Sequence, residues 1–217
     1  MTLSVPPPSV FLIMPFENFT ADPSLPCSIL LLAGGRGARM GGMDKGLLPW
    51  KGKPLIAHVH DVVRPFTDDL IISCNRNRER YRAYADQLVE DSQKDFPGPL
   101  AGVLAGLTVA HHPWLLILAC DAPRIDTTLI RTLIDARPAS CSALMVQQDG
   151  QWQPMFSLIP QTLLPALQHD WDEGERSLLR TLLKRDLVAL TCAANDLRLS
   201  NFNTPDLLAG TLPTSSE

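Results

Sequence analysis

The chain has 217 residues and a mass of 23.8 kDa, enough for one large domain with its own core. Hydrophobic residues make up 45% and charged residues 19%, with a mean hydropathy of +0.04, which excludes disorder over most of the length. A net charge of −4 and a pI near 5.7 argue against a broad nucleic-acid-binding face but leave room for a local basic pocket.

The cysteines Cys27, Cys74, Cys120, Cys141 and Cys192 are odd in number and widely spaced, with no C-x-x-C. They read as buried thiols in a reducing compartment, not as a disulfide framework or a zinc site. No Lys or Arg precedes Arg36, and the apolar run at 10–14 is too short for the core of a secretory signal. Residues 1–26 are expected to form an irregular extension, with Met14 a second candidate start. Residues 96–120 carry no formal charge over a length that could span a bilayer. Pro97, Pro99, Pro113, three glycines and His111-His112 break that stretch into a loop, a helix and a strand. No membrane span is expected, and a cytoplasmic location is.

In chain order, the apolar run 28–33 stops at Gly34-Gly35 and predicts a strand buried on both faces. Pro54 suits a first helical turn, and Leu55, Ile56, Val59, Val62 and Val63 follow at helical spacing. Residues 70–72 predict a strand, 78–87 a polar helix and 88–91 a short strand. Leu100, Val103, Leu104 and Leu107 share one helical face, with His111-His112 placed to offset the dipole at that helix's end. Residues 114–119 form the best central strand. A helix is expected over 126–136, and strands over 141–147 and 152–159, with Asp149-Gly150 as their hairpin turn. Helices near 160–169 and 175–184, a strand over 186–191 and a short helix from Thr204-Pro205 complete the pattern. Trp152 and Trp171 are expected in the core. Strands alternating with helices predict a single α/β domain over 27–211, with a mostly parallel sheet, some antiparallel strands and a flexible tail over 212–217.

The first strand runs into a loop rich in glycine and cations. Between 34 and 53, Arg36, Arg39, Lys45, Lys51 and Lys53 face only Asp44, a local excess of +4 in a negative chain. Gly34 and Gly35 let backbone N–H groups approach a ligand closely. A triphosphate needs such a pocket. Gly37 to Gly42 has P-loop spacing, but Met43 stands where the lysine belongs. Met40 likewise stands where a dinucleotide fingerprint needs its third glycine. The loop is therefore a phosphate loop of another kind.

Leu32-Ala33-Gly34-Gly35, Arg39-Met40-Gly41-Gly42 and Asp44-Lys45 together resemble the signature of nucleotidyltransferases akin to the molybdenum cofactor guanylyltransferases. Asp91, the segment 97–102 (Pro-Gly-Pro-Leu-Ala-Gly), Cys120-Asp121 and the Asn-x-Asn-Thr-Pro run at 201–205 extend the resemblance over about residues 28–210. It implies a Rossmann-like three-layer α/β fold. It also implies transfer of GMP from GTP to the phosphate of molybdenum-bound molybdopterin, with release of pyrophosphate and with Mg²⁺ as cofactor.

The same resemblance implies residue roles. Asp121 would hold the metal, and Lys45 and Arg39 would neutralise the phosphates, with Arg36 a weaker candidate. Leu32, Ala33, Gly34 and Gly35 would meet the nucleotide through their backbones. Asp91 would accept hydrogen bonds from guanine or ribose, and Gly98 and Gly102 would let the base lie against the chain. Ser73 stands where the family carries Asn, which makes Asn75 the stronger partner of the pair. Asn203 would serve the metal or the pterin, although Thr204-Pro205 reads equally as a helix start. Enzymes of molybdopterin synthesis and apoproteins that receive the product are the implied protein partners, with no nucleic acid and no membrane among them. Two other readings stay open at this point. One is the same fold using CTP, ATP or a sugar-phosphate acceptor. The other is a nucleotide-binding module without chemistry.

Overall fold

A computed structural model describes residues 13–14, 26–33, 44–90, 98–138 and 142–202. Its strands are β1 (Ile13–Met14), β2 (Ser28–Leu32), β3 (Pro49–Trp50), β4 (Lys53–Pro54), β5 (Leu70–Ser73), β6 (Gln87–Val89), β7 (Trp114–Ala119), β8 (Ala143–Gln148), β9 (Gln151–Pro160) and β10 (Leu187–Cys192). Its helices are α1 (Leu55–Val63), α2 (Arg78–Tyr81), α3 (Pro99–Val109), α4 (Thr127–Asp135), α5 (Leu164–Asp172) and α6 (Leu178–Leu183).

The main sheet runs β1-β10-β8-β9-β7-β2-β5-β6, while β3 and β4 form a separate two-stranded ribbon. All pairings in the main sheet are parallel except those of β9, which is antiparallel to both β7 and β8. The β8–β9 turn places Asp149 at φ 48° and Gly150 at φ 69°, two left-handed residues in succession, as a tight hairpin requires.

Strand alternation builds three layers. Ile29 and Leu31 of β2, with Leu116 and Leu118 of β7, face Val59 and Val63 of α1 and Leu129 and Leu133 of α4. Leu30, Leu115 and Ile117 face the opposite way, onto Leu100, Val103 and Leu107 of α3, Leu167 of α5 and Leu182 of α6. Trp171 lies in this second core and Trp152 packs at its margin. Cys27, Cys74, Cys120 and Cys192 are all buried, and burial pushes the Cys27 thiol up to about 12. No helix among the described residues is long and apolar enough to cross a membrane.

Several local expectations differ from the structure. The helix expected over 78–87 stops after one α-turn and a 3₁₀ turn (Arg82–Tyr84). Asp86 N–H donates to Leu70 O at 2.9 Å and its carboxylate accepts Leu70 N–H at 2.8 Å, which draws the chain into β6. The helix expected from 175 begins at Leu178. Glu175 instead accepts the N–H groups of Arg176 and Ser177 at 2.7 and 2.8 Å, and Ser177 caps the helix. Pro54 precedes α1 as its cap residue and does not sit inside the first turn. His111 and His112 lie beyond the end of α3, and their partners are Asp69 and Asp68. Within the segment expected to be irregular, Ile13–Met14 pairs in parallel with β10. The expected helix from Thr204-Pro205 and the tail over 212–217 lie outside the described residues.

Candidate active site

The parallel strands β2, β5, β6 and β7 end along one edge of the sheet, where α/β folds bind ligands. The chain exits are tied together there. Ala33 N–H donates to Ser73 O at 2.9 Å, Cys74 N–H to Val89 O at 3.0 Å, and Cys120 N–H to Leu32 O at 3.3 Å. Their residue types follow from position, because strands buried on both faces are mostly apolar, with the polar Ser73 closing β5 at this edge.

Asp121 leaves β7 at this edge and is 9% exposed. Lys45 opens a 3₁₀ turn (Lys45–Leu47), and its Nζ lies 3.6 Å from Asp121 Oδ2. Burial pushes the Asp121 carboxyl above its usual range, while Lys45 and the residue's own N–H pull it back only partly. Such a carboxylate is short of donors and well suited to a cation. Among the described residues no three His, Cys, Asp or Glu gather into a closed cage. A hard divalent ion that takes one or two carboxylates and completes its shell with phosphate oxygens and water fits this donor set.

The C-terminal segment reaches the same place. Phe202 N–H donates to Asp121 O at 2.8 Å, and the buried Asn201 Oδ1 has no partner among the described residues. Phe202 is fully buried against Trp50, with ring centroids 5.0 Å apart, and the Arg124 guanidinium lies 5.2 Å from its ring centre.

On the opposite side of Leu32, Ser73 is buried under α3. A Cβ on Gly102 would meet Ser73 Oγ at 2.7 Å and Leu32 Cδ2 at 2.8 Å. Gly102 is therefore required by the close seating of α3 on the sheet, and Ser73 forms part of that seat. Gly98 precedes α3 at φ 103°, in the region that favours glycine, and a Cβ there would lie 3.1 Å from Arg176 O. Asn75 is half-buried in the loop after β5. Gly34, Gly35, Arg36, Arg39, Asp91 and Asn203 lie outside the described residues.

One cluster had no signal in the sequence. Tyr81 donates its hydroxyl to Asp44, and Asn77 Nδ2 donates to the other Asp44 oxygen at 2.9 Å. In the sequence Asp44 is one charge among cations and half of the Asp44-Lys45 pair that carries the resemblance. Nothing in residue spacing ties it to a tyrosine 37 residues away.

Residues 29–188 match the MobA-like NTP transferase domain family. The chain belongs to this family. A molybdenum cofactor guanylyltransferase from Pseudomonas putida (strain GB-1) is 62% identical over 185 residues, which are 85% of this chain and 97% of that protein. Molybdopterin-guanine dinucleotide biosynthesis protein A from Archaeoglobus fulgidus superposes with a TM-score of 0.68 at 23% identity, covering 85% of this chain and 96% of that one. A 4-diphosphocytidyl-2C-methyl-D-erythritol synthase from Anaerococcus prevotii gives 0.67 at 12% identity, covering 86% and 94%. The two superpositions speak for the fold alone, and one is with a protein named for a cytidyl product.

Proposed function

We propose that this chain transfers GMP from GTP to the terminal phosphate of molybdenum-bound molybdopterin. A phosphate oxygen of the acceptor attacks the α-phosphorus in line. The new P–O bond forms as the bond from the α-phosphorus to the bridging oxygen breaks, and pyrophosphate leaves with that oxygen. The observation that carries this reading is the Lys45–Asp121 pair at the carboxyl edge of the sheet, in a chain 62% identical over most of its length to a molybdenum cofactor guanylyltransferase.

Little covalent work falls to the protein, so catalysis rests on positioning and charge neutralisation. Lys45 binds the phosphates and offsets charge on the departing pyrophosphate, and Arg39 adds to that neutralisation. Asp121 holds Mg²⁺, which when bound neutralises phosphate charge and polarises the reacting phosphorus. Leu32, Ala33, Gly34 and Gly35 line the nucleotide with backbone groups. Asp91, Asn75 and the turn at Gly98 serve the base and ribose, and Asn203 serves the acceptor side. The setting is cytoplasmic, between the enzymes that make molybdopterin and the apoproteins that take up the finished cofactor.

The test is pyrophosphate release from Mg²⁺, molybdenum-loaded molybdopterin and each of GTP, CTP, ATP and UTP. GTP-selective release that falls by at least about 100-fold in Asp121→Ala supports the reading. Selective release with another nucleotide overturns the base assignment. Tight GTP binding without release overturns the acceptor.

A further inference from the structure

Directly behind Lys45 sits a cluster that the chemistry above does not use. Both carboxylate oxygens of Asp44 are taken, one by the Tyr81 hydroxyl and the other by Asn77 Nδ2 at 2.9 Å. The turn that carries Lys45 hangs from Asp44, with Leu47 N–H donating to Asp44 O at 3.1 Å and Leu48 N–H to Lys45 O at 3.0 Å. Gly46 closes the arrangement. A Cβ there would lie 2.6 Å from the Tyr81 hydroxyl oxygen and 3.0 Å from Cys120 Sγ, immediately before Asp121. The buried phenol is thus wedged between the Asp44 carboxylate and the backbone of the Lys45 turn.

We propose that Tyr81, aided by Asn77, is a positioning residue that holds the Lys45 turn through Asp44 and so sets the ammonium group against Asp121. The proposal rests on the reading of Lys45 as the phosphate-binding cation. A lysine side chain has a long flexible stem, and its rotamer entropy opposes fixing it. Anchoring its root on two charge-assisted hydrogen bonds lowers the disorder that binding must remove. Burial, first among several causes, pushes the Tyr81 phenol far above its usual value, so it stays a donor at any working pH. Asn77 adopts φ 53°, a left-handed conformation that Asn tolerates and that turns its amide toward Asp44.

Tyr81→Phe keeps the ring and its packing and removes only the hydroxyl. The full chain is assayed for GTP-dependent pyrophosphate release as wild type, Tyr81→Phe, Lys45→Ala and the double variant. In parallel, the rate of Lys45 modification by an amine-reactive reagent is followed by mass spectrometry, with exposed Lys51 as internal reference. Tyr81→Phe is expected to lower kcat by about 10–100-fold with a small change in KM. In the Lys45→Ala background its effect should shrink to less than about 2-fold, because the two residues act as one unit. Lys45 labelling should rise several-fold while Lys51 labelling holds. An unchanged kcat, a full loss that persists without Lys45, or unchanged Lys45 labelling each overturns the proposal. Asn77→Gly, which suits the left-handed backbone, supplies a milder version of the same pattern should Tyr81→Phe not fold. Labelling needs no turnover, so a wild-type chain without GTP-dependent release sinks the functional reading while labelling still decides the clamp.

Discussion

Two buried aspartates sit at opposite edges of the same sheet and are treated in opposite ways. Asp69, at the amino edge, is 1% exposed, and Asp121, at the carboxyl edge, is 9% exposed. Burial pushes both carboxyls up. At Asp69 that push is outweighed by Ser28 Oγ at 2.5 Å, Gln87 Nε2 at 2.7 Å and His111 N–H at 2.8 Å, which hold the group below its usual range. Asp121 has Lys45 at 3.6 Å and stays above its usual range. Several directed donors keep one buried carboxyl below its usual range, while the other, with Lys45 and its own N–H beside it, stays above.

The contrast is tested most strongly at Asp121. Asp121→Asn resembles the protonated carboxyl in shape and charge. Turnover should fall by about 10²–10³-fold or more. The metal-free protein should melt at a higher temperature at neutral pH, because the burial cost of the ionised carboxyl is removed. Calorimetry beside the activity assay reads both, and a lower melting point would mean that the Lys45 pairing outweighs the burial cost. Asp69→Asn should behave in the opposite sense. It leaves the donors of Ser28, Gln87 and His111 poorly matched, for a loss of about 2–4 kcal/mol. Turnover per folded molecule should be kept.

The sign of the pH dependence sharpens this second prediction. The folded value of Asp69 is lowered, so its stabilisation is present above the unfolded value near 3.8 and is lost as pH falls through the folded value. For Asp121 the folded value is raised, so its contribution is present below the unfolded value and is lost as pH rises through the folded one. Asp69→Asn should therefore flatten the acid limb of a stability–pH curve, which urea titrations at stepped pH would read. The smallest effect is expected at Gly102→Ala. Its new Cβ would press on Ser73 Oγ and Leu32 Cδ2, at a cost of about 1–3 kcal/mol. Ser73→Gly in the same chain should recover part of that loss.

The apolar runs made the sheet legible. Residues 114–119 are a strand with the bounds that their pattern predicts, because a strand buried on both faces announces itself by composition alone. The hairpin was legible in Asp149-Gly150 for an equally local reason. Residues 82–87 were not, since Asp86 is drawn to the sheet by Leu70, a non-local contact that overrides the polar helical pattern. At the site, Lys45 and Asp121 were chosen by resemblance to a signature, and the fold sets them 3.6 Å apart. The resemblance marks Gly102 as a base-side glycine, and the packing of Leu32 and Ser73 against its Cα is a further, tertiary demand that the sequence does not record. Tyr81 escaped notice for a related reason. Its value lies in one hydroxyl meeting a carboxylate far along the chain, and no periodicity records that.

The placement of β2 between β5 and β7 also governs how the chain can mature during synthesis. Ile29 pairs with Leu70 on one side and with Leu116 on the other. The second neighbour ends at Ala119, 46 residues after β5 ends at Ser73. At about 5–20 residues per second, a ribosome leaves β2 open along one edge for about 2–9 s. Lys45 is then already made, but its carboxylate partner at 121 is not. The nascent chain passes through an interval in which an apolar strand is half-paired and the Lys45–Asp121 pair is not yet formed. The pairing that closes this edge of β2 waits for residues 115–119 to be made.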